Sequence, residues 1–253
     1  YTHTQNFIGS GIMPTGLGGE VMWLCPSLDD SPNDLSGNGN NGTYVNGTST
    51  VVDSDPSYNG SRAYSFDGSD DYINAGDQKA GSDSRSWSLW FKTNSTTLGS
   101  SAPIFSQRNY GQTGRNQYLG LDSSTAFLIA HLDTNNAGPF NAYGTTRVDD
   151  SEWHHAVWRL DRSANTLEVY INGTMERSVG SITGSQSNDN DLFIGAGQDR
   201  YGGASSFFPG RMDDIRMYNR PLEQSEITHL ATSRGILGEP GGTHVHRTLL
   251  GVG

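Results

Sequence analysis

Oxygen-bearing side chains are concentrated in three acidic segments of the chain, at 29–40, 67–71 and 213–214. Carboxylate, amide and carbonyl oxygens are the ligands that Ca²⁺ prefers, and the ion takes about six to eight of them. The same residue types also cap turns and solvate surfaces. Two interpretations therefore stay open, since the segments predict either a calcium site or well-capped turns.

Aromatic, amide and guanidinium side chains occur together in connections that are rich in Gly and Asn, at 107–117 and 133–147, and again near residue 200. Such loops carry function more often than strands do, and an aromatic ring with polar donors around it suits a sugar. The alternative is that the rings anchor their own loops. The predicted ligand-binding residues are Arg108, Asn109, Tyr110, Arg115, Asn141, Tyr143, Arg200 and Tyr201.

Catalytic patterns are absent from the sequence. A retaining glycosidase needs two carboxylates about 5 Å apart, which alternate residues of one strand supply. Glu168 lies in a strand-like segment without a carboxylate at position 166 or 170, and no Gly-x-Ser-x-Gly or phosphate-binding loop occurs. His154 and His155 are interpreted as structural residues at the start of a strand. We therefore predict no enzyme and no catalytic residues, with a glycoside hydrolase as the third alternative.

Composition excludes several other classes of protein. The net charge of −11 is unsuited to nucleic acid, which needs a basic surface. No run of 18 apolar residues is present, so no membrane span is predicted. The 25 aromatic residues are enough for a core of large side chains, and the single cysteine, Cys25, is expected to be a small buried hydrophobe.

The elements that must position these residues are strands. Alternating apolar and polar residues predict strands at 62–66, 87–92, 118–121, 126–130, 155–160, 166–171, 174–178, 191–195 and 210–218. Asn172 and Gly173 predict a type I′ turn, because both central residues of that turn need positive φ. Pro221 and the apolar residues that follow it predict one short amphipathic helix. The spacing of the strands predicts a two-sheet sandwich.

Six motifs in series resemble the laminin-G-like, concanavalin A-like jelly-roll domains, over roughly residues 21–232. The motifs are DLSGNGNNG (34–42), FDGSDDYI (66–73), SWSLWF (86–91), WHHAV (153–157), VYING (169–173) and FPGRMDDIRMYNRPL (208–222). The resemblance implies an all-β, two-sheet antiparallel jelly-roll sandwich with adjacent first and last strands. It implies functions that range from sugar and protein binding to adhesion, so the fold alone does not decide among them.

The resemblance also implies structural calcium. If the first and last strands are neighbours, Asp34 and Asn38 approach Asp213, and the three form one predicted metal site. Asp67 and Asp70 form a separate candidate loop. Ca²⁺ is accordingly the one predicted cofactor, with a structural role.

Glycine-rich segments flank the patterned region, so we predict one domain at 21–234 with extended arms at 1–20 and 235–253. Such termini are ordered only when they are tied down, and burial against a neighbouring subunit would do this. Two functions stay open. The first is a non-catalytic binding or adhesion module for a glycan or protein. The alternative is a structural subunit that forms a homo-oligomer or larger assembly through its arms, such as a virion coat, decoration or fibre protein or a surface filament. The predicted location is extracellular, on a cell surface or in a virus particle.

Overall fold

The computed structural model describes residues 17–52, 62–78, 83–94, 101–108, 116–135, 137–186, 188–199 and 201–232. Residues 1–16 of the first predicted arm and all of the second arm, 235–253, lie outside this part of the chain, so assembly through the arms stays a prediction. The described elements are β1 (Glu20–Leu24), β2 (Thr43–Val45), β3 (Ser49–Val52), β4 (Arg62–Asp67), β5 (Tyr72–Asn74), β6 (Arg85–Lys92), β7 (Ala102–Gln107), β8 (Gln117–Leu121), β9 (Phe127–Leu132), β10 (Phe140–Arg147), β11 (Trp153–Asp161), β12 (Thr166–Ile171), β13 (Thr174–Val179), β14 (Phe193–Ile194), β15 (Ala196–Gln198), β16 (Ala204–Phe207), β17 (Pro209–Tyr218) and α1 (Gln224–Leu230).

The strands form two large antiparallel sheets. The eight-stranded sheet has the order β13-β12-β11-β6-β17-β4-β3, with β1 also paired to β17. The seven-stranded sheet has the order β10-β9-β8-β7-β14-β5-β2, and β15 and β16 form a separate hairpin. This architecture confirms the predicted all-β jelly-roll sandwich. The pairing of β1 with β17 confirms that the first and last strands are neighbours.

Large aromatic side chains join the two sheets. The Trp87 ring of the eight-stranded sheet stacks on the Phe105 ring of the seven-stranded sheet, with 4.5 Å between centroids. Phe105 in turn meets the edge of Trp158 at 6.3 Å. All three side chains are buried, and each contributes on the order of 2–3 kcal/mol through the burial of apolar area. Cys25 is also fully buried, as predicted, and burial raises the pKa of its thiol.

The predicted turn and helix are both present. Asn172 and Gly173 have φ values of 49° and 83°, so the β12–β13 hairpin turns through two left-handed residues. Helix α1 follows the N-cap residue Glu223, whose side chain forms a reciprocal capping box with Glu226. Its apolar face packs on the outer surface of the eight-stranded sheet. No helix in the described part of the chain is long and apolar enough to span a membrane.

The prediction of a connection over 133–147 was wrong for half of its length. Residues Phe140–Arg147 form the edge strand β10, which pairs with β9. The strand escapes detection because Ala142 is its one buried apolar side chain, while its other face points out of the sandwich.

A carboxylate ties the edge of one sheet to the edge of the other. Glu176 on β13 accepts the backbone N–H groups of Thr145 at 2.6 Å and Thr146 at 2.9 Å, together with both threonine hydroxyls. Burial opposes ionisation, but these hydrogen bonds hold the pKa of Glu176 below its ordinary value. Strands β10 and β13 are therefore fastened together through one ionised side chain.

Candidate functional site

A pocket of about 320 Å³ opens on the outer face of the seven-stranded sheet. Its floor consists of side chains of β8, β9 and β10 that alternate with the core residues Leu119, Ala130 and Ala142 and therefore point away from the core. The hairpin β15–β16 forms one wall. The lining residues are Ser101, Pro103, Arg108, Tyr118, Ile129, His131, Asn141, Tyr143, Gly197, Gln198, Ser205 and Ser206.

The polar part of the floor is one row of residues across three strands. Tyr118 pairs with His131, and His131 pairs with Asn141, in the antiparallel register of the sheet. The Nδ1 atom of His131 lies 2.7 Å from Oδ1 of Asn141, and the Tyr118 ring meets the His131 ring edge-on at 6.4 Å. The row therefore presents an aromatic ring, an imidazole and an amide side by side.

The next row makes room for the tyrosine ring. It contains Gly120, Ile129 and Tyr143, which are register partners across the same three strands. A Cβ atom added to Gly120 would lie 2.4 Å from Cζ of Tyr118, so the tyrosine ring lies directly over this glycine. Tyr143, at the other end of the row, is 50% exposed at the rim of the pocket.

A guanidinium group stands at the wall beside the tyrosine. Cζ of Arg108 lies 4.9 Å from the centroid of the Tyr118 ring, which is cation–π distance. The backbone of Arg108 is held on both sides, because its N–H donates to Oε1 of Gln198 and its carbonyl accepts from Nδ2 of Asn190. The Gln198 amide is anchored in turn by donating to the carbonyl of Asp191 at 2.8 Å.

A carboxylate lies beside the lining, on the same face of the sheet as His131. Oδ2 of Asp133 is 3.3 Å from Nε2 of His131 and accepts a hydrogen bond from Nδ2 of Asn116 at 2.6 Å. The hydrogen bond with His131 is the main cause that holds the pKa of Asp133 below its ordinary value, with the charge of Arg108 as a weaker contribution. The carboxylate therefore stays ionised and orients the imidazole from the neighbouring position on the same face.

Three of the predicted ligand-binding residues, Arg108, Asn141 and Tyr143, come together in this pocket. Tyr201 lies at the turn of the β15–β16 hairpin, outside the pocket lining, and is 81% exposed. The other four lie outside the described residues, namely Asn109, Tyr110, Arg115 and Arg200.

Sequence reasoning missed Tyr118, His131 and Gln198, because each lies in a segment interpreted only as a strand or not singled out. The alternation of inward and outward side chains along β8 and β9 gave a signal at two positions. Tyr118 and His131 occupy the positions that face away from the apolar core residues. A polar or aromatic side chain on the outer face of two predicted strands marks a candidate binding surface.

The acidic segment after β4 forms a compact group. Asp67, Asp70 and Asp71 each place one carboxylate oxygen within 4.8 Å of the others, and no other described histidine, cysteine, aspartate or glutamate residues form such a group of three. Asp71 is 4% exposed, and its Oδ2 accepts the N–H of Asp67 at 3.0 Å. Its buried Oδ1 accepts no hydrogen bond from any described residue. Two predicted metal residues, Asp67 and Asp70, thus meet at one site.

The remaining predicted metal residues have structural contacts. Asp34 accepts N–H groups from Trp23 and Asn40 at 2.9 Å, which fixes the loop after β1. Asn38 donates to the carbonyl of Glu20. Asp213 is fully buried on β17 and accepts the N–H of the next residue, at 2.7 Å. A metal role for these three residues stays a prediction.

A hydroxyl–imidazole pair lies in the eight-stranded sheet. Oγ of Ser88 and Nε2 of His155 are 2.8 Å apart, a distance that a nucleophile and its base also show. However, Ser88 is 1% exposed and His155 is completely buried. Burial, with the nearby charge of Arg216 as a second cause, lowers the pKa of His155 to about 3. No substrate reaches this pair, and the neighbouring His154 instead contacts Asp150 at 2.9 Å.

The carboxylates of the β11–β12 ladder are neutralised by an arginine. Arg159 donates to Oε2 of Glu168 at 2.8 Å and to Oδ2 of Asp161 at 3.0 Å. Glu168 also accepts the hydroxyl of Tyr170. Both carboxylates therefore have structural partners, and this part of the chain offers no free acid–base pair.

A protein-family model agrees with the geometry. The model described as the concanavalin A-like lectin/glucanases superfamily matches residues 67–228. The chain belongs to this superfamily. The match confirms the resemblance that the sequence motifs indicated. No curated protein sequence matches the chain.

Solved structures of the same superfamily fold are similar to the chain. Domain 4 of AbnA, a GH43 extracellular arabinanase from Geobacillus stearothermophilus solved in complex with arabinotriose, has a TM-score of 0.63 and 17% identity, over 84% of this chain and 98% of that one. The binding domain of Paraclostridial Mosquitocidal Protein 1 has a TM-score of 0.66 and 17% identity. That match covers 84% of this chain and 52% of the toxin domain, so the chain spans about half of the toxin domain's length.

The Ruminococcus gnavus IT-sialidase CBM40, solved with α2,3 sialyllactose, is also similar. Its TM-score is 0.51 at 15% identity, over 59% of this chain and 83% of that one. At these identities the three likenesses establish a shared fold.

Proposed function

We propose that this domain is a non-catalytic glycan-binding module that acts outside the cell and holds its ligand in the pocket on the seven-stranded sheet. The observation that carries the proposal is the composition of the lining. The half-exposed Tyr143 supplies aromatic surface, while Arg108, Asn141 and His131 supply polar groups beside it. Sugars have both apolar C–H faces and hydroxyl groups, so they match this combination.

The fold supports the same assignment. Similar structures include a domain of an extracellular arabinanase bound to arabinotriose and a carbohydrate-binding module bound to sialyllactose. A binding module needs no catalytic groups. It needs a fixed arrangement of side chains, and the face of the sheet supplies one. The rigidity of the strands lowers the entropic cost of organising the site.

The lining also favours binding over hydrolysis. General acid–base cleavage of a glycosidic bond needs two carboxyl groups on either side of that bond. The described residues that line the pocket include no aspartate or glutamate, and the nearby Asp133 is engaged by His131 and Asn116. A sugar in the pocket would therefore be held without being cut.

The experiment is a glycan array followed by calorimetry with the purified protein. Asn141→Ala and Tyr143→Ala should each weaken binding by about 2- to 12-fold, since a hydrogen bond or an aromatic contact contributes about 0.5–1.5 kcal/mol and about 1.4 kcal/mol is tenfold. Val52→Ala is the matched control, because Val52 is similarly exposed on the other sheet. Absence of glycan binding, or equal loss in the control, would contradict the proposal.

We further propose that the acidic group Asp67, Asp70 and Asp71 holds a structural Ca²⁺. Supporting this, the three carboxylates supply hard oxygen ligands, and the buried Oδ1 of Asp71 lacks a hydrogen-bond partner among the described residues. Calorimetry after chelator treatment should show heat on adding Ca²⁺ and a higher melting temperature, both lost in Asp70→Asn. An unchanged melting temperature in wild-type protein would refute the site.

A further inference from the structure

The charge of the pocket differs from that of the whole chain. The chain has 27 acidic side chains against 16 lysines and arginines. Among its described residues, the pocket lining has two basic side chains, Arg108 and His131, and no carboxylate. An acidic protein that keeps carboxylates out of one concave surface leaves that surface complementary to a negative group.

The position of the guanidinium is well fixed. The backbone of Arg108 is held by hydrogen bonds with Gln198 and Asn190, and its side chain lies over the Tyr118 ring. A held arginine loses less side-chain freedom on binding than a solvent-exposed one. Guanidinium groups also match the planar oxygen pairs of carboxylates and the oxygens of sulfate esters.

The carboxylate of Asp133 lies next to the pocket but is not part of the described lining. It is engaged by His131 and Asn116 on the same face of the sheet, at 3.3 and 2.6 Å. The lining also includes the neutral polar residues Asn141, Ser205 and Ser206, whose side chains are of a type that binds sugar hydroxyls.

We propose that the pocket recognises an acidic sugar, whose carboxylate or sulfate group binds at Arg108. This inference rests on the proposed glycan-binding function and names its ligand class. The sugar ring lies toward Tyr143 and Asn141, and the anionic substituent points to the Arg108 wall. Neutral glycans with the same ring therefore bind more weakly.

Two matched pairs of probes test the proposal by calorimetry. They are trigalacturonate against galactotriose, and lactose 3′-sulfate against lactose, and they distinguish a carboxylate from a sulfate as the preferred group. At least one acidic probe should bind ten times or more tightly than its neutral partner. Arg108→Gln should remove that preference, whereas Arg177→Gln, which removes an exposed arginine from β13, should keep it.

The outcomes separate this inference from the broader function. If neutral probes bind as tightly as acidic ones and Tyr143→Ala weakens both, the pocket is a glycan site but the inference is wrong. If the acidic preference survives in Arg108→Gln, the inference is also wrong. If no probe binds and the array is empty, the glycan-binding function itself fails. Urea unfolding of each variant verifies that it is folded.

Discussion

His155 should make the domain less stable in mild acid, because the folded protein cannot accept a proton there. Its imidazole is completely buried, and burial together with the charge of Arg216 lowers its pKa to about 3. In the unfolded chain the pKa returns to its ordinary value near 6.5. As the pH falls below about 6.5, the unfolded state therefore binds a proton that the folded state refuses, and stability is lost progressively down to about pH 3.

The size of the effect follows from the two pKa values. A pH of about 5 lies roughly 1.5 units below the pKa of the imidazole in the unfolded chain, while the folded imidazole is still neutral. The free energy of unfolding therefore falls by about 2 kcal/mol, at 1.36 kcal/mol per unit. Carboxylates contribute little in this window because their ordinary pKa values lie near 4. The chain has six other histidines, among them His154, which lies 2.9 Å from Asp150. The measurement must therefore be a difference between variants.

The assay is urea unfolding of wild type, His155→Gln and His154→Gln between about pH 8 and pH 5. His155→Gln should lack the loss of about 2 kcal/mol, while the matched His154→Gln should retain it. If His155→Gln does not fold, the wild-type imidazole followed by NMR should show no titration of His155 above pH 4. Equal pH dependence in all three proteins, or a His155 titration near pH 6.5, would refute the assignment of Ser88 and His155 as a closed, structural pair.

Three further predictions concern single positions. Gly120→Ala should destabilise the fold by about 1–3 kcal/mol in urea unfolding, because the new Cβ would meet the Tyr118 ring and would lie 2.8 Å from the carbonyl oxygen of Ala102; an unchanged stability would contradict this. Glu176→Gln should cost about 1.5–3 kcal/mol at neutral pH and little in acid, where the wild-type carboxylate is also neutral. Asn172→Ala should cost about 1–3 kcal/mol in thermal unfolding, because it strains a residue with φ of 49° and removes the acceptor of the His155 N–H.

Local sequence signals predicted the parts of the fold that depend on neighbouring residues. Asn172 and Gly173 specify their turn because few residue types adopt positive φ, and β12 alternates strongly enough to give its exact bounds. Strand β10 is different, since its outward face is polar and its inward face has small residues. Strand β10 forms because it pairs with β9, and this pairing cannot be predicted from the residues of β10 alone.

The candidate site was predicted in part for the same reason. Arg108, Asn141 and Tyr143 were recognisable as polar and aromatic residues in glycine-rich segments. Tyr118 and His131 join them only through the register of β8, β9 and β10, which places residues from three strands in one row. Register is set by tertiary packing. The sequence therefore shows which residue types are available for a site, but it does not show that residues of three strands lie next to one another.

The Glu176 carboxylate also has a consequence for association with other chains. An edge strand normally exposes backbone N–H groups that a strand of another molecule can use as a template. On β10, the N–H groups of Thr145 and Thr146 are already occupied by Oε2 of Glu176. A strand of another molecule therefore cannot pair with β10 at these two positions without displacing the carboxylate.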